Sequence, residues 1–265
     1  MPETFSETFS ETIMATVTAL YRYPIKGLTP EPMTAVELAA GETMPFDRAF
    51  AIENGPGSFD PKAPKHLPKM HFVMLMRNEQ LATLNAQFND ASQTLTLASP
   101  SGETVRGDLR TASGRATLEA FVAGIMGPAL RGAPRIVVSP PHSFSDVEPK
   151  CVHLVNLASV RALEAAMGVA INPLRFRPNV IVDGLPAWQE FDLVGQQVRV
   201  GAVTFDVFKR TERCAATNVD PATGARDLKI PSFLSRTYGH TDFGVYAKIS
   251  AGGRLRAGDT LALSA

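Results

Sequence analysis

Hydrophobic and polar positions divide this chain into many short segments. Residues 16–23 place Val17, Ala19, Tyr21 and Tyr23 on one face, the two-residue period of a strand, and Pro24 ends it. Ile25-Lys26-Gly27 then reads as a turn, and residues 48–52 as a further strand. Residues 53–68 are rich in Pro, Gly and Lys and read as a long loop, a length that is often functional. Asn78 is placed to cap a helix carrying Leu81, Leu84 and Phe88 on one side. Residues 94–98 alternate again and are closed by the turn Pro100-Ser101-Gly102.

Helical spacing is clearest after Ser113, which is placed to cap a helix whose Leu118, Phe121, Val122, Ile125 and Met126 repeat along one face until Gly127-Pro128 stops them. That helix reads as a seam between two modules. Residues 131–149 are proline-rich and mostly loop, with a short strand at 136–138, and residues 152–155 form another strand. Asn156 starts a helix that runs to Met167 and ends at Gly168. Strands follow at 180–182 and in the hairpin 197–200 with 203–208, whose Gly201-Ala202 pair suits a type II′ turn. Asp220-Pro221-Ala222-Thr223 is a type I turn, residues 232–238 a short helix before Gly239, and residues 245–249 and 260–263 the closing strands. The pattern predicts a mainly β protein with α elements (α+β), of β-barrel type with peripheral helices.

Composition changes that picture little. Of 265 residues, 45% are hydrophobic and 20% charged, ample for a core, and 26 basic against 26 acidic residues leave a formal net charge of zero. No global field then draws in nucleic acid or an anionic membrane, so an anionic ligand needs a local cluster. No apolar run is long enough for a membrane span. Residues 3–12 repeat as ETFSETFSET, without the basic and apolar parts of a secretory signal. Residues 1–13 read as a disordered tail, with Met14 as a candidate true start. The two cysteines, Cys151 and Cys214, make no disulfide framework, so a reducing, cytoplasmic setting is expected.

Candidate chemistry centres on Cys214, which follows Lys209-Arg210-Thr211-Glu212-Arg213. Flanking cations favour a thiolate, which is a nucleophile or a soft metal ligand, although a free cysteine is more commonly an inert core residue. In Leu174-Arg175-Phe176-Arg177-Pro178-Asn179, arginines run into an apolar strand. Each needs an anionic partner there, either an acid of this chain or a bound oxyanion. Lys26 and Asp47-Arg48 carry the same ambiguity. His66 and His71 match no usual zinc spacing, Trp188 and Cys151 read as structural, and Tyr246 as either core or a pocket hydroxyl.

Six segments taken in order resemble one family. They are Tyr23-Pro24-Ile25-Lys26-Gly27, Asp47-Arg48, Phe176-Arg177-Pro178-Asn179, Arg213-Cys214, Asp220-Pro221-Ala222-Thr223-Gly224 and Phe243-Gly244-Val245-Tyr246. Together they resemble the MOSC family, the molybdenum cofactor sulfurase C-terminal domain. The branch is the one with an N-terminal β-barrel module, similar to the mitochondrial amidoxime-reducing component and its bacterial relatives. The resemblance implies an N-terminal module over residues 14–112 and a MOSC-type barrel domain over 113–265. It implies Mo-molybdopterin as cofactor, with Cys214 ligating molybdenum as the catalytic metal ligand and no use of pyridoxal phosphate. Lys26, Arg48, Arg177 and Arg213 would grip the phosphate and pterin, with Gly27, Asn179 and Tyr246 supporting. Several relatives have serine where this chain has Gly27. The implied activity is reduction of small N-hydroxylated substrates, amidoximes or hydroxylamines. Electrons would come from a separate donor protein of ferredoxin, flavin reductase or cytochrome type. The alternative is a non-catalytic cofactor-binding or sulfur-carrier protein, with a persulfide on Cys214.

Overall fold

A computed structural model describes residues 14–55 and 57–263; the tail expected at 1–13 lies outside them. Fifteen strands and three α-helices are arranged around one closed barrel. The strands are β1 (Met14–Arg22), β2 (Glu31–Met33), β3 (Ala35–Leu38), β4 (Phe50–Asn54), β5 (Asn85–Asn89), β6 (Thr94–Ala98), β7 (Thr104–Asp108) and β8 (Pro134–Val138). They continue as β9 (Val152–Asn156), β10 (Val180–Asp183), β11 (Gln197–Val200), β12 (Val203–Glu212), β13 (Asp242–Ala251), β14 (Gly253–Arg256) and β15 (Thr260–Leu263). The helices are α1 (Ala112–Met126), α2 (Leu157–Met167) and α3 (Ile230–Tyr238).

The barrel runs β1-β10-β9-β13-β12-β11-β15 and closes where β15 returns to β1. Only β9 and β10 are parallel in it, and α2 makes part of the crossover that a parallel pair requires. β12 alternates inward Val203, Phe205 and Val207 with outward residues, so its inner face meets Val245, Ala247 and Ile249 of β13 and fills the barrel with side chains. β1 comes from the start of the chain, yet it is an integral stave. Thr16 and Leu20 pair with Asp183 and Val180 on one edge, and β15 and then β2 occupy the other.

The remaining N-terminal residues make a second core. The sheet β5-β6-β7 carries Leu95 and Leu97 against Leu118, Phe121 and Val122 of α1, joined by Ile25, Phe50 and Ile52. A third core lies outside the barrel between α2 and α3, where Phe176 and Phe243 stack at 3.7 Å.

Two expectations are corrected. The helix expected after Asn78 is a short 3-10 turn, Glu79–Thr83, followed by β5, and the Asn78 side chain does not cap it. Leu81 and Leu84 are buried at helical spacing, but Ala86 and Phe88 alternate with exposed neighbours in an edge strand. The cap of α1 is Thr111, which accepts from the Gly114 N–H at 3.0 Å, in place of Ser113. The segment at 53–68 is pinned: Glu53 accepts from the backbone N–H groups of Ser58 and Phe59, and Phe59 is buried.

Candidate functional site

One cavity of about 340 Å³ opens between the barrel and the N-terminal core, and it is lined by every residue that the family resemblance assigned to a cofactor: Lys26, Gly27, Arg48, Arg177, Asn179, Arg213, Cys214 and Tyr246. They reach it from separate elements. Lys26 and Gly27 lie just past β1, and the Lys26 N–H is tied to the Phe50 carbonyl at 2.8 Å. Arg48 precedes β4, Arg177 and Asn179 precede β10, Arg213 and Cys214 follow β12, and Tyr246 is on β13. No described residue of the 53–68 segment is part of the wall.

Six cations line this cavity against three carboxylates, Asp47, Asp146 and Glu212. The surplus is concentrated where water is scarce. Arg48 is the best matched: it bonds the Asp47 carboxylate, donates to Asn179 Oδ1 at 3.1 Å and to the Arg177 carbonyl at 3.3 Å. Burial works against its charge, but Asp47, with Tyr23 and Tyr246 adding to it, outweighs burial and raises its pKa. Arg177 donates to the Leu28 carbonyl at 2.8 Å and touches no carboxylate. Burial, with Arg48 close by, lowers it to about 10. Both guanidinium groups stand over Tyr23, at 4.5 Å for Arg48 and 4.1 Å for Arg177, a cation–π sandwich that partly stands in for a counter-ion. Arg213 donates to the Phe176 carbonyl at 2.8 Å, and its pKa is lowered by burial. Arg177 Nη2 and Arg213 Nε are buried with no hydrogen-bond partner among the described residues. Such orphaned charged donors are costly unless a further acceptor joins them.

Lys26 is held differently. Its ammonium donates to the Phe144 carbonyl at 2.8 Å and to the Asp146 carboxylate, both on the segment between β8 and β9. Burial lowers the Lys26 pKa, with Asp146 opposing. Burial would raise Asp146, but the facing ammonium overrides it and holds that carboxyl down at about 2.

Backbone strain collects in the same place. Arg48 (φ 51°) and Arg177 (φ 53°) both occupy the left-handed region, which L residues rarely adopt. Such strain is kept where the surroundings over-determine it, commonly at binding sites. Here Arg48 N–H bonds the Tyr23 carbonyl and Phe144 N–H bonds the Arg48 carbonyl, so the strained residue is clamped on both sides. Gly27 has φ +88°, and a Cβ there would lie 3.0 Å from Leu81 Cδ1 and 3.3 Å from the Val73 carbonyl. A side chain at this position would therefore be strained by the local backbone, which leaves main chain at the cavity wall.

Asn179 lines the wall and is fully bonded within the protein. Its Nδ2 donates to the Tyr21 carbonyl and to Asp47, and its Oδ1 accepts from the His153 N–H and Arg48. All its capacity is spent inside the protein, so it orients Asp47 and Arg48. His153, absent from the sequence reading, lines the wall between the carbonyls of Arg177 and Phe243. Burial, with Arg213 near, keeps it neutral, its pKa well below the ordinary value. Tyr246 is pushed up to about 12 by burial and stays a protonated hydroxyl in the wall. Asp47 was legible beside Arg48, whereas His153, Asp146 and Lys69 had no local signal.

Cys214 is partly exposed at the start of the 3-10 turn Ala215–Asn218, its carbonyl accepting from the Thr217 N–H and hydroxyl. Cys151 is also in the wall but buried, and burial pushes its thiol up to about 12, which fits the structural role read from the sequence. Arg175 forms the intramolecular ion pairs considered for it, with Asp220 and Asp227. Asn156 caps α2 through the Ala158 N–H and lies outside the cavity. Among the described residues no group of three or more His, Cys, Asp and Glu is placed to hold a metal ion, so a metal here would bring most of its own ligands. No described helix is long and apolar enough to cross a membrane.

Comparison with known proteins gives a consistent result. The model of the MOSC domain matches residues 140–262, and that of the MOSC N-terminal beta barrel domain matches residues 14–127. Over 129 residues the chain is 30% identical to mitochondrial amidoxime reducing component 2 of Rattus norvegicus, covering 44% of this chain and 37% of that protein. Over 113 residues it is 32% identical to molybdenum cofactor sulfurase of Drosophila ananassae, covering 41% of this chain and 14% of that protein. The matched stretches therefore span well under two thirds of either relative. The crystal structure of the YUAD protein from Bacillus subtilis aligns over 96% of this chain and 99% of its own, with 12% identity and a TM-score of 0.45.

Proposed function

Because the chain belongs to the MOSC domain family, we propose that the cavity binds a molybdenum cofactor of molybdopterin type. We propose that the protein is an oxidoreductase that reduces small N-hydroxylated compounds, amidoximes or hydroxylamines, with electrons from a separate donor protein. The observation that carries this reading is a single cavity with a thiol at one wall and a surplus of buried cations at the others, Arg177 and Arg213 meeting only carbonyls while Lys26 and Arg48 each meet one carboxylate.

The residues fit the group. A phosphate and a polar pterin offer the acceptors that Arg177 Nη2 and Arg213 Nε lack. Each charge-assisted hydrogen bond of that kind is worth roughly 1.5–3 kcal/mol. Cys214 offers a soft thiolate, which suits a metal already held by dithiolene sulfur. When bound, the cofactor supplies the electrons that cleave the N–O bond. The chain's own contributions are fixed beforehand. Asp47 and Asn179 orient Arg48, Tyr23 carries the faces of Arg48 and Arg177, and Gly27 presents main chain at close range. Tyr246 retains its proton at neutral pH and can donate a hydrogen bond into the cavity. Two free cysteines fit a reducing, cytoplasmic setting.

A second reading is a sulfur carrier, favoured by the partial exposure of Cys214. The test uses protein made in cells that synthesise the cofactor. Metal analysis should give near-stoichiometric molybdenum in the wild type and at least a tenfold loss in Cys214→Ser. Equal molybdenum in both proteins removes Cys214 from the metal. The dye-reduced, loaded protein should convert an amidoxime to the amidine, and full loading without turnover leaves the carrier reading in place of the reductase.

A further inference from the structure

The turn at 220–226 does more than connect elements. Arg226 uses its whole guanidinium to join two distant parts of the chain. Nη1 donates to the Ala215 carbonyl at 3.2 Å, in the residue directly after Cys214. Nη2 donates to the carbonyls of Leu75 and Met76 at 3.0 and 2.8 Å, and Nη2 and Nε both reach Glu79 Oε2 at 3.0 and 3.2 Å. A planar fork with its donors committed this way fixes position in a way that a single contact does not. The turn is also seated from behind. Gly224 is buried at φ +74°, where a Cβ would come within 2.8 Å of Thr83 Cγ2 and 3.2 Å of the Glu79 carbonyl.

What Arg226 ties together is chemically pointed. Met74, Leu75 and Met76 form an apolar stretch of the cavity wall, in a site otherwise rich in charge. Ala215 begins the turn that carries the Cys214 carbonyl. The sulfur and the apolar stretch are therefore held at a set spacing by a side chain that does not itself line the cavity.

We propose that Arg226 is a positioning residue that sets the gap between the Cys214 sulfur and the Met74-Leu75-Met76 wall, and that this wall receives the apolar group of an N-hydroxylated substrate. The strap is read from geometry alone, while the ligand named for it rests on the function proposed above. The substrate class that follows is an aryl or alkyl amidoxime in preference to hydroxylamine itself.

Two measurements test this separately. In the full chain made without cofactor, the rate of Cys214 alkylation by iodoacetamide should change at least threefold in Arg226→Ala. Arg226→Lys should fall between that variant and wild type, and Cys151 alkylation should stay constant as the internal control for an intact fold. Gly224→Ala, which pushes the same turn from its other side, should move Cys214 in the same way and serves if Arg226→Ala does not fold. In the loaded protein, Arg226→Ala should raise KM for an aryl amidoxime about fivefold while KM for hydroxylamine stays within twofold. A Cys214 rate within 1.5-fold of wild type in both variants overturns the strap, as does parallel acceleration of Cys151. Equal KM changes for the two substrates overturn the apolar subsite. Absence of turnover in the wild type counts against the reductase reading, and the alkylation result still decides the strap.

Discussion

Arg175 and Arg177 stand in one short turn, separated only by Phe176, and the protein treats them in opposite ways. Arg175 is buried to 3% side-chain exposure and meets Asp220, Asp227 and the Asn218 carbonyl. Each keeps one buried nitrogen without a partner, but Arg177 meets only a carbonyl and the face of Tyr23, touches no carboxylate, and has its pKa lowered by burial. The first region, around the 220–227 turn, has matched its charges within the chain. The second, around the cavity, has gathered Lys26, Arg48, Arg177 and Arg213 without enough acid to match them. Counting arginines cannot separate structural from ligand-directed cations; asking where each one's partner comes from can.

The sharpest way to break that contrast is to remove each arginine in turn. Arg175→Met leaves two carboxylates and a carbonyl without their donor. Losing one partner of a buried pair costs about 3–5 kcal/mol, and the partial exposure of both aspartates brings the expectation down to about 2. Equilibrium denaturation checks it, and a loss under about 0.5 kcal/mol would move Arg175 into the same class as Arg177. Arg177→Met should leave folding stability within about 1 kcal/mol of wild type, because an under-compensated charge is removed. It should also lower the affinity of the cofactor-free protein for inorganic pyrophosphate about tenfold, by calorimetry. A large stability loss with unchanged anion binding would reverse the assignment.

The smallest effect concerns Asp146, the one acid among the described residues that reaches Lys26. Its carboxyl is held at about 2 against an ordinary 3.8. A depressed acid contributes stability that is complete above its unfolded pKa and is lost as pH falls through the folded one. Acid denaturation of the wild type should therefore include a component between about pH 4 and 2 that Asp146→Asn lacks. The same variant should bind pyrophosphate a few-fold more tightly, since Lys26 is freed of its internal anion. Identical acid profiles for the two proteins would show that the pair contributes nothing to folding.

Much of the barrel was legible because its strands obey local rules. The hairpin of β11 and β12, the cap at Asn156 and the stop at Gly168 all rest on residues within one or two turns of each other. Leu81, Leu84 and Phe88 misled for the same reason: their spacing is helical, but Phe88 is spent on a strand that packs on Phe46 and Phe50 from elsewhere in the chain. Cys214 and the arginines carried their own local signals. Asp146, His153 and the Met74-Leu75-Met76 stretch did not, because each acquires meaning only from a neighbour more than twenty residues away. Arg226 is the extreme case, an ordinary turn residue in sequence whose partners at Glu79, Leu75 and Met76 are 147, 151 and 150 residues away in the chain.

The pairing of β1 with both β10 and β15 has a consequence for the order of events in the cell. Of the partners of β1 only the short β2 is near it in the chain; β10 and β15 lie far along it. Closure over so long a separation is slow, and unpaired edges are exposed to wrong neighbours in the meantime. Lys26 follows directly from that strand, so the pocket has no finished shape until the last stave docks. Barrel closure and the shaping of the pocket are thereby coupled through one and the same strand.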